Sequence, residues 1–484
     1  IYRNGFNWFV GDSWRAKPKL TINYGVRYEY ESPLFERNNH VTNFSPTLNG
    51  GQGGLFTIPS NASGTFNRTT VHPKMDNLAP RVGIAYQLSP NLVMRAGAGV
   101  YFQNTYRYGS ESQLALNPPF LTDHSLNSQA TAAPALILQS GFPSGFTNPV
   151  SIDDIAAVSE LQIRAINSNL IPSDIYEGSF GFQYSVSRDL AVEINYVFNQ
   201  GRHLWSLSNE NQGILNNPGS PPVIPFPQFV QGTTPTYVEW LDSDLSSSYN
   251  GLQVSVDKRM SNNFAFHVAY TWSKALSQGS DFEAGLRPIQ NRYDLSKEWG
   301  LWDNDTPQRF IASTTYGLPI GKNHRLNPSG FAGKVVDDWQ VNGIVDYSDG
   351  QPITISSSSD LSGTNFGNGS ATRANCVATP HVNQTIDHWL DPNAYSAPLP
   401  YEFGTCGPTP GPRNPGVSTW DTSLFKNLPL SETRFFQFRA EAFNLWNKPQ
   451  FGVPNSTVGT PSFGQISSLA TNPRQLQFAL KFIF

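Results

Sequence analysis

The chain has 484 residues, of which 14% are charged and 13% aromatic, and its formal net charge is −4 with a pI near 6.1. Soluble domains carry roughly 25% charged residues, so this sequence lacks the charge that keeps a soluble surface dispersed, and the slight acidic excess excludes a nucleic-acid binder. No run of about 18 apolar residues is present, so a chain of this kind can cross a bilayer only as a closed β-barrel.

Alternation of apolar and polar residues with a period of two, typical of β-strands, recurs along the whole chain. About thirteen strands are predicted, most of about nine to twelve residues, whereas soluble strands average about five or six. That length suits a tilted strand crossing a bilayer. In chain order the strands lie near Phe6–Trp14, Leu20–Glu31, Arg81–Leu88, Leu92–Phe102, Tyr176–Val186, Leu190–Phe198, Leu252–Val256, Phe264–Trp272, Phe310–Leu318, Trp339–Tyr347, Trp420–Leu428, Phe436–Trp446 and Leu476–Phe484.

Short and long connections alternate between these strands. Turns near 16–18, 89–91, 188–189, 260–263 and 429–433, with a somewhat longer one at 319–335, alternate with long segments at 32–77, 105–174, 201–248, 276–307, 349–417 and 447–473. Short periplasmic turns and long extracellular loops are typical of bacterial outer-membrane barrels, whereas soluble sandwiches turn about every 8–12 residues. We therefore predict an all-β fold, a transmembrane antiparallel β-barrel in the outer membrane of a Gram-negative bacterium.

Strand direction gives a further expectation. The first and last strands run the same way, which makes the number of strands odd, whereas bacterial outer-membrane barrels have an even number. We therefore expect an incomplete barrel, with residues 1–484 forming the C-terminal portion of one barrel domain and no separate soluble domain.

The charges of the strands fall on the face opposite the apolar one, which should line the lumen because a charge facing lipid at mid-bilayer costs about 2–4 kcal/mol. Lys258 is the main exception and lies beside a turn, where it can reach the membrane interface. Solvated or mutually paired wall residues are the simplest interpretation of these charges. The predicted lumen-facing residues are Arg27, Glu29, Arg81, Arg95, Glu193, Asp257, His267, Arg309, Asp346, Arg439 and Glu441.

Aromatic residues in the long segments lie outside the predicted lipid zone, and they are candidates for stacking on a ligand, with packing inside the loops as the alternative. They are Tyr106, Tyr108, Trp205, Trp240, Trp299 and Trp302. Cys376 and Cys406 lie in one Gly/Pro-rich segment, where export to an oxidising compartment would let them form a disulfide; two unpaired loop residues are the alternative.

Motifs of known catalytic chemistry are missing from the sequence, so no enzyme activity and no cofactor are expected. Four acidic residues, Asp294, Glu298, Asp303 and Asp305, are close enough in sequence to hold calcium, although their spacing does not match an EF-hand. A hydrogen-bonded loop is the alternative, and we expect no metal site.

Several segments resemble the Oar-like TonB-dependent outer-membrane receptors. The resemblance spans most of the chain and is carried by Asn77–Gly83, Ser248–Gln253 with Ala269–Lys274, Asp303–Phe310, Asp338–Ile344 with Gly350–Pro352, and Glu441–Asn447. At Gln308 the family often has His. The closing strand is similar to the C-terminal signal read by the barrel-assembly machinery, with its apolar positions at Phe478, Leu480, Phe482 and Phe484.

The resemblance implies a receptor that binds an extracellular solute in its loops and imports it past an N-terminal plug with energy delivered by the TonB complex. Neither a plug nor a TonB box is visible in this sequence, so contact with TonB would be made by a missing N-terminal region. The family's barrels have about 22 strands, of which this chain would supply about 13. Two alternatives stay open: an outer-membrane adhesion or binding barrel without import, and a secreted β-sandwich carbohydrate-active protein.

Overall fold

The computed structural model describes residues 2–103, 114, 117–120, 136–142, 163–231, 234–279, 287–321, 330–367, 369–431 and 433–484. Its main feature is one antiparallel sheet in which thirteen long strands pair with their neighbours in chain order, as predicted. We number them β1 Gly5–Lys17, β2 Leu20–Glu31, β3 Leu78–Ser89, β4 Leu92–Gln103, β5 Ser173–Ser185, β6 Leu190–Asn209, β7 Val238–Ser261, β8 Phe264–Ser277, β9 Gln308–Gly317, β10 Trp339–Ser348, β11 Val417–Pro429, β12 Phe435–Phe443 and β13 Gln475–Ile483.

Short connections join the strands at one end of the sheet, hereafter the turn end. At the β7–β8 hairpin Asn262 and Asn263 have φ values of 51° and 60°, the left-handed conformation that a tight two-residue hairpin requires. Between β9 and β10 the longer predicted connection contains a helix, Gly330–Val336.

Strands β6 and β7 are much longer than the others, with 20 and 24 residues. The predicted loop 201–248 is therefore wrong at both ends, because β6 continues to Asn209 and β7 begins at Val238. These extensions project beyond the other strands at the end opposite the turns. Their register shifts near Leu245, where the pair leaves the regular wall.

The apolar face of the sheet is exposed along its length. On β13, Phe478 and Leu480 are 69% and 66% exposed, and the buried residues of the described chain include none from the apolar face of β13. A sandwich buries such a face against a second sheet, so the β-sandwich alternative is wrong. Strands β1 and β13 do not pair with each other in the described residues, and the sheet is open, which agrees with an incomplete barrel. Among those residues no helix is long and apolar enough to cross a membrane.

The long connections carry only short elements. Two-stranded ladders join Thr42–Ser45 with Gly54–Thr57, Val230–Gln231 with Thr234–Pro235, and Asn375–Cys376 with Tyr395–Ser396. Ile163–Ile166 and Gly300–Leu301 pair with β7 and β8. Within the described residues the connections also contain a four-residue helix, Leu48–Gly51, and the 3-10 turns Phe66–Arg68, Leu138–Ser140, Pro227–Phe229 and Leu295–Glu298.

Candidate functional site

Among the described residues, nearly all buried hydrophobic side chains lie in the long connections and the projecting ends of β6 and β7, and only Ala79 and Ala275 are buried in the wall. We define the loop layer as the described residues of the connections 32–77, 104–172, 210–237, 278–307, 349–416 and 444–474, together with the projecting ends of β6 and β7. It contains three clusters of buried apolar side chains. In the first, the ring of Phe44 lies 5.2 Å from Phe226 and 5.8 Å from Phe229. The layer is therefore a packed unit with its own core.

Asparagine side chains join the main chains of different connections. Asn43 donates to the carbonyl oxygen of Ile166 at 2.8 Å and accepts from its N–H at 2.9 Å. Asn117 bonds in the same way to Arg164 and also donates to the Thr42 carbonyl oxygen at 2.7 Å. These amides satisfy buried backbone groups that lack a ladder partner. The connections 32–77 and 104–172 are thereby fixed to each other.

The four acidic residues considered for calcium, where no metal site is expected, are engaged by other protein groups. Glu298 receives two bonds from the guanidinium of Arg373, at 2.6 and 3.0 Å, and the two side chains are 1% and 6% exposed. Asp303 pairs with Arg287, Asp305 pairs with Arg413, and Asp294 accepts from the backbone of Ser296. Groups of acidic, histidine or cysteine side chains suited to a metal ion are absent from the described residues. Glu298 and Asp305 thereby join the 276–307 segment to the 349–417 segment.

A second charged cluster lies where the ends of β6 and β7 meet the 276–307 segment. Arg292 forms an ion pair with Glu210, and its backbone N–H donates to Gln212 at 3.1 Å. Burial raises the pKa of Glu210 to about 6, against the opposing influence of Arg292. Burial also raises the pKa of Asp244, whose oxygen accepts from Ser206 at 2.6 Å. Sequence reasoning missed this cluster, since its members are separated by up to about 80 residues and no local pattern marks them.

The proposed ligand-stacking aromatics differ in accessibility. Trp240 is 6% exposed within the first hydrophobic cluster, and its indole N–H donates to Asp242 at 3.1 Å, so its ring has no open face for a ligand. Trp205 packs against the third cluster. Trp299 is 41% exposed, and Trp302 is half-buried. Tyr106 and Tyr108 lie outside the described residues. For Trp240 and Trp205 the structure favours the alternative, packing within the loops.

Cross-strand register places all eleven predicted lumen-facing residues on the face opposite the apolar one. Most have a partner on that face. His267 Nδ1 lies 2.6 Å from Asp257, Arg309 lies 3.4 Å from Asp346, and Arg27 pairs with Glu29. Three further members are stacked or hydrogen-bonded: Arg81 over Tyr101, Arg439 over Phe425 and Glu193 with Asn195.

Two lysines lie on the apolar face near the turn end. Lys258 Nζ lies 2.6 Å from both Asp189 and Ser261 in neighbouring turns, and this ammonium holds the pKa of Asp189 well below its usual range. Lys426, which sequence reasoning missed, donates to the Asp337 carbonyl oxygen and lies 6.0 Å from the Trp339 ring. Both charges reach the interface, where a long basic side chain costs little.

The polar residues at the two ends of the apolar face define the height of the band that contacts lipid. On β7, Leu252, Val254 and Val256 separate Lys258 at the turn end from Asn250 at the loop end. Eight steps at about 3.4 Å span about 27 Å along the strand, or roughly 20 Å along the membrane normal at a tilt of about 40°. This height is close to the apolar band of about 25 Å seen on outer-membrane barrels.

Cys376 and Cys406 form a disulfide with their Cα atoms 4.9 Å apart, and Cys406 belongs to the second hydrophobic cluster. At the other end of the molecule, the predicted assembly residues of β13 share one face of the sheet edge. Phe482 and Phe484 stack with their centroids 5.7 Å apart, and Phe484 is 90% exposed.

A family model described as "Outer membrane beta barrel domain" matches residues 1–477. Among solved structures, the chain is similar to the FrpB iron transporter from Neisseria meningitidis (F3-3 variant), with 11% identity, a TM-score of 0.43, and coverage of 99% of this chain and 45% of that chain. The outer membrane transporter YddB from Escherichia coli gives 10% identity, a TM-score of 0.47, and coverage of 100% and 45%.

BauA, the ferric preacinetobactin receptor from Acinetobacter baumannii, gives 10% identity, a TM-score of 0.44, and coverage of 100% of this chain and 43% of that chain. The chain therefore spans less than half the length of these three proteins. Comparison with curated proteins gave no match.

Proposed function

The chain belongs to the outer membrane β-barrel domain family, and from that premise we propose that it forms the C-terminal part of the barrel of an Oar-like TonB-dependent receptor. In this proposal the loop layer binds an extracellular solute, and the charged face of β1 to β13 lines the path by which the solute is imported. The sequence motifs that resemble the Oar-like receptors support the assignment.

The observation that carries the proposal is the packed loop layer. Outer-membrane wall strands need only short turns to be joined, yet here the connections contain three hydrophobic clusters and a buried Arg373–Glu298 pair. Ordering the backbone costs roughly 1–2 kcal/mol of conformational entropy per residue. In a loop layer that is already packed this cost is met when the protein folds, so it does not weaken the binding of a ligand. Trp299 offers a partly exposed ring on this scaffold, and Trp302, Tyr106 and Tyr108 are further candidates.

Two partner contacts complete the proposal. Energy for import would come from the TonB complex through a plug region outside this chain. Strand β13 would be the segment read by the barrel-assembly machinery, because its exposed edge presents alternating apolar residues up to Phe484. Outer-membrane lipid covers the apolar face.

The test uses four strains that differ in the presence of the full-length gene and of TonB. Each is incubated with a panel of probes: iron-55 loaded catecholate and hydroxamate chelates, cobalamin, oligosaccharides and short peptides. We expect one probe class to be taken up only by the strain with both genes. Arg373→Met should weaken its binding by loosening the loop layer, and Arg309→Met on the wall serves as the control.

The adhesion alternative gives a different pattern in the same strains. A barrel that only binds would keep its probe on the cell surface, where the probe is not internalised. The amount of bound probe would be the same with and without TonB. That pattern would replace import with adhesion. Loss of binding in the Arg309→Met control but not in Arg373→Met would show that the loop layer is not the binding element.

A further inference from the structure

A recess opens on the apolar face of the sheet at the loop end of the wall. Its volume is about 520 Å³, and it lies where β6, β7 and β8 meet the connection that leads into β9. The side chains that matter for its chemistry are Tyr196, Asn250, Trp272, Lys274, Asp305 and Arg413.

At this recess the side chains of the apolar face change from apolar to polar between two adjacent cross-strand rows. In one row, Leu252 lies between Tyr196 and Trp272 on the neighbouring strands. In the next row towards the loop layer, Asn250 lies between Phe198 and Lys274. Tyrosine and tryptophan mark the level where hydrocarbon meets headgroups, so Asn250 and Lys274 lie at headgroup level.

The recess carries an excess of one positive charge. Arg413 donates to Asp305, whose other carboxylate oxygen accepts from the backbone N–H of Ala275 at 2.6 Å, so these two charges neutralise each other. Lys274 is exposed and has no ion-pair partner among the residues that the structure describes. An ammonium group directed at the membrane surface without a protein counter-ion favours an anionic lipid.

Neutral groups beside Lys274 are also arranged for an anion. Tyr196 donates its hydroxyl hydrogen to Asn250 Oδ1 at 2.6 Å, which fixes the orientation of the amide. Asn250 Nδ2 then makes one long bond of 3.3 Å to Ser248 and keeps a second hydrogen for another acceptor. Trp272, which is 60% exposed, adds an indole N–H at the same level.

We propose that this recess binds the phosphate group of an outer-leaflet lipid. The Lys274 ammonium pairs with the phosphate, Asn250 donates a hydrogen bond to it, and the acyl chains lie along Leu252 and Val254. The occupant is a lipid because the rest of the apolar face is already committed to hydrocarbon, so an acyl chain continues from the recess without a gap. This site is independent of import and of the solute carried.

The test is native mass spectrometry of the full-length receptor released from mild detergent. Lipid A with two phosphates is added, and dephosphorylated lipid A is added to a parallel sample. A basic residue near an anionic lipid surface contributes about one factor of five in affinity, so Lys274→Gln should weaken retention of the phosphorylated lipid about fivefold. Lys274→Arg should retain it. Lys481→Gln, the same charge change on the opposite face of the sheet, is the matched control and should leave retention unchanged.

Three results would overturn the proposal: equal retention by Lys274→Gln and the parent receptor, equal retention of phosphorylated and dephosphorylated lipid, or displacement of the lipid by millimolar inorganic phosphate, which would indicate a simple ion site. Heat-modifiable migration in all variants shows that the barrel is folded, so a lost lipid cannot be attributed to unfolding.

Discussion

Replacing Arg373 with Met should open the loop layer without unfolding the wall. Arg373 makes both of its terminal guanidinium bonds to Glu298, which is 1% exposed and would be left as an unpaired buried charge. Breaking one side of a buried ion pair costs about 3–5 kcal/mol. At about 1.4 kcal/mol per factor of ten, the lower bound raises the population of the opened layer more than a hundredfold.

Hydrogen exchange measured by mass spectrometry on the full-length protein in detergent is the suitable assay. Amide exchange in the segments 287–301 and 353–376 should accelerate about a hundredfold or more, because it reports the free energy of local opening. Exchange in β8 and β13 should not change. The double variant Arg373→Met, Glu298→Gln should recover most of the protection, because the unpaired charge is then removed.

Arg309→Met is the matched control. Arg309 and Asp346 are separated by 3.4 Å, and their side chains are 56% and 35% exposed, so the pair is screened by solvent and contributes at most about 1 kcal/mol. Exchange should change by less than about tenfold. Equal effects of Arg373→Met and Arg309→Met, or no recovery in the double variant, would refute the reasoning.

Three further predictions concern the wall, the pH response and the disulfide. Val254→Arg, at the centre of the apolar face, should destabilise the barrel by about 2–4 kcal/mol, whereas Ser255→Arg on the opposite face beside Glu193 should cost little, as measured by urea unfolding in lipid. The pKa of Glu210 is raised to about 6 from 4.5, so the folded loop layer binds this proton more tightly than the opened layer does. The stability of the folded layer is therefore greatest below pH 4.5 and falls by about 2 kcal/mol as the pH rises through about 6. Glu210→Gln should remove this dependence from exchange measured at pH 4.5 and 7. Replacing Cys376 and Cys406 with Ser frees a loop of 30 residues and should cost the segment about 3–4 kcal/mol, seen as faster proteolysis between the two positions.

Each of these has a contradicting outcome. Equal destabilisation by arginine at positions 254 and 255 would mean that the two faces of β7 are not distinguished by lipid. A pH profile that survives Glu210→Gln would assign the response to another group, such as Asp244. Unchanged proteolysis between residues 376 and 406 without the disulfide would show that the second hydrophobic cluster holds the segment alone.

The wall could be predicted from sequence because each strand is buried by lipid on one face only. From Leu20 to Tyr30 every second residue is apolar, and the register pairs most of them with apolar residues of β1 and β3, although Asp12 and Lys17 of β1 lie opposite Tyr24 and Leu20. The same period fails in the projecting end of β7. There Val238 and Leu241 are 0% and 1% exposed and Trp240 is 6% exposed, so both faces are buried and the alternation disappears.

The loop layer could not be predicted because its partners are distant in sequence. Val238–Leu241 pairs in parallel with Ile163–Ile166, and Glu298 meets Arg373 with 75 residues between them. Such contacts leave no periodic signal, and from sequence Asp303 and Asp305 could be interpreted only as part of a hydrogen-bonded loop or, less favourably, of a calcium site. The guanidinium groups that engage these carboxylates lie in segments whose Gly and Pro content predicts only irregular structure.

The position of the packed core also predicts the order in which the wall and the loop layer fold. Phe44 meets Phe226 and Phe229 only when the six strands from β2 to β7 are aligned side by side, since the rings are contributed by connections about 180 residues apart. The apolar side chains of the strands are buried by lipid, whereas those of the loop layer are buried only against each other. We therefore expect the protein to fold in two stages. The wall inserts into the membrane first, with its long connections still loose on the outer side. The connections then pack more slowly into the ordered outer surface.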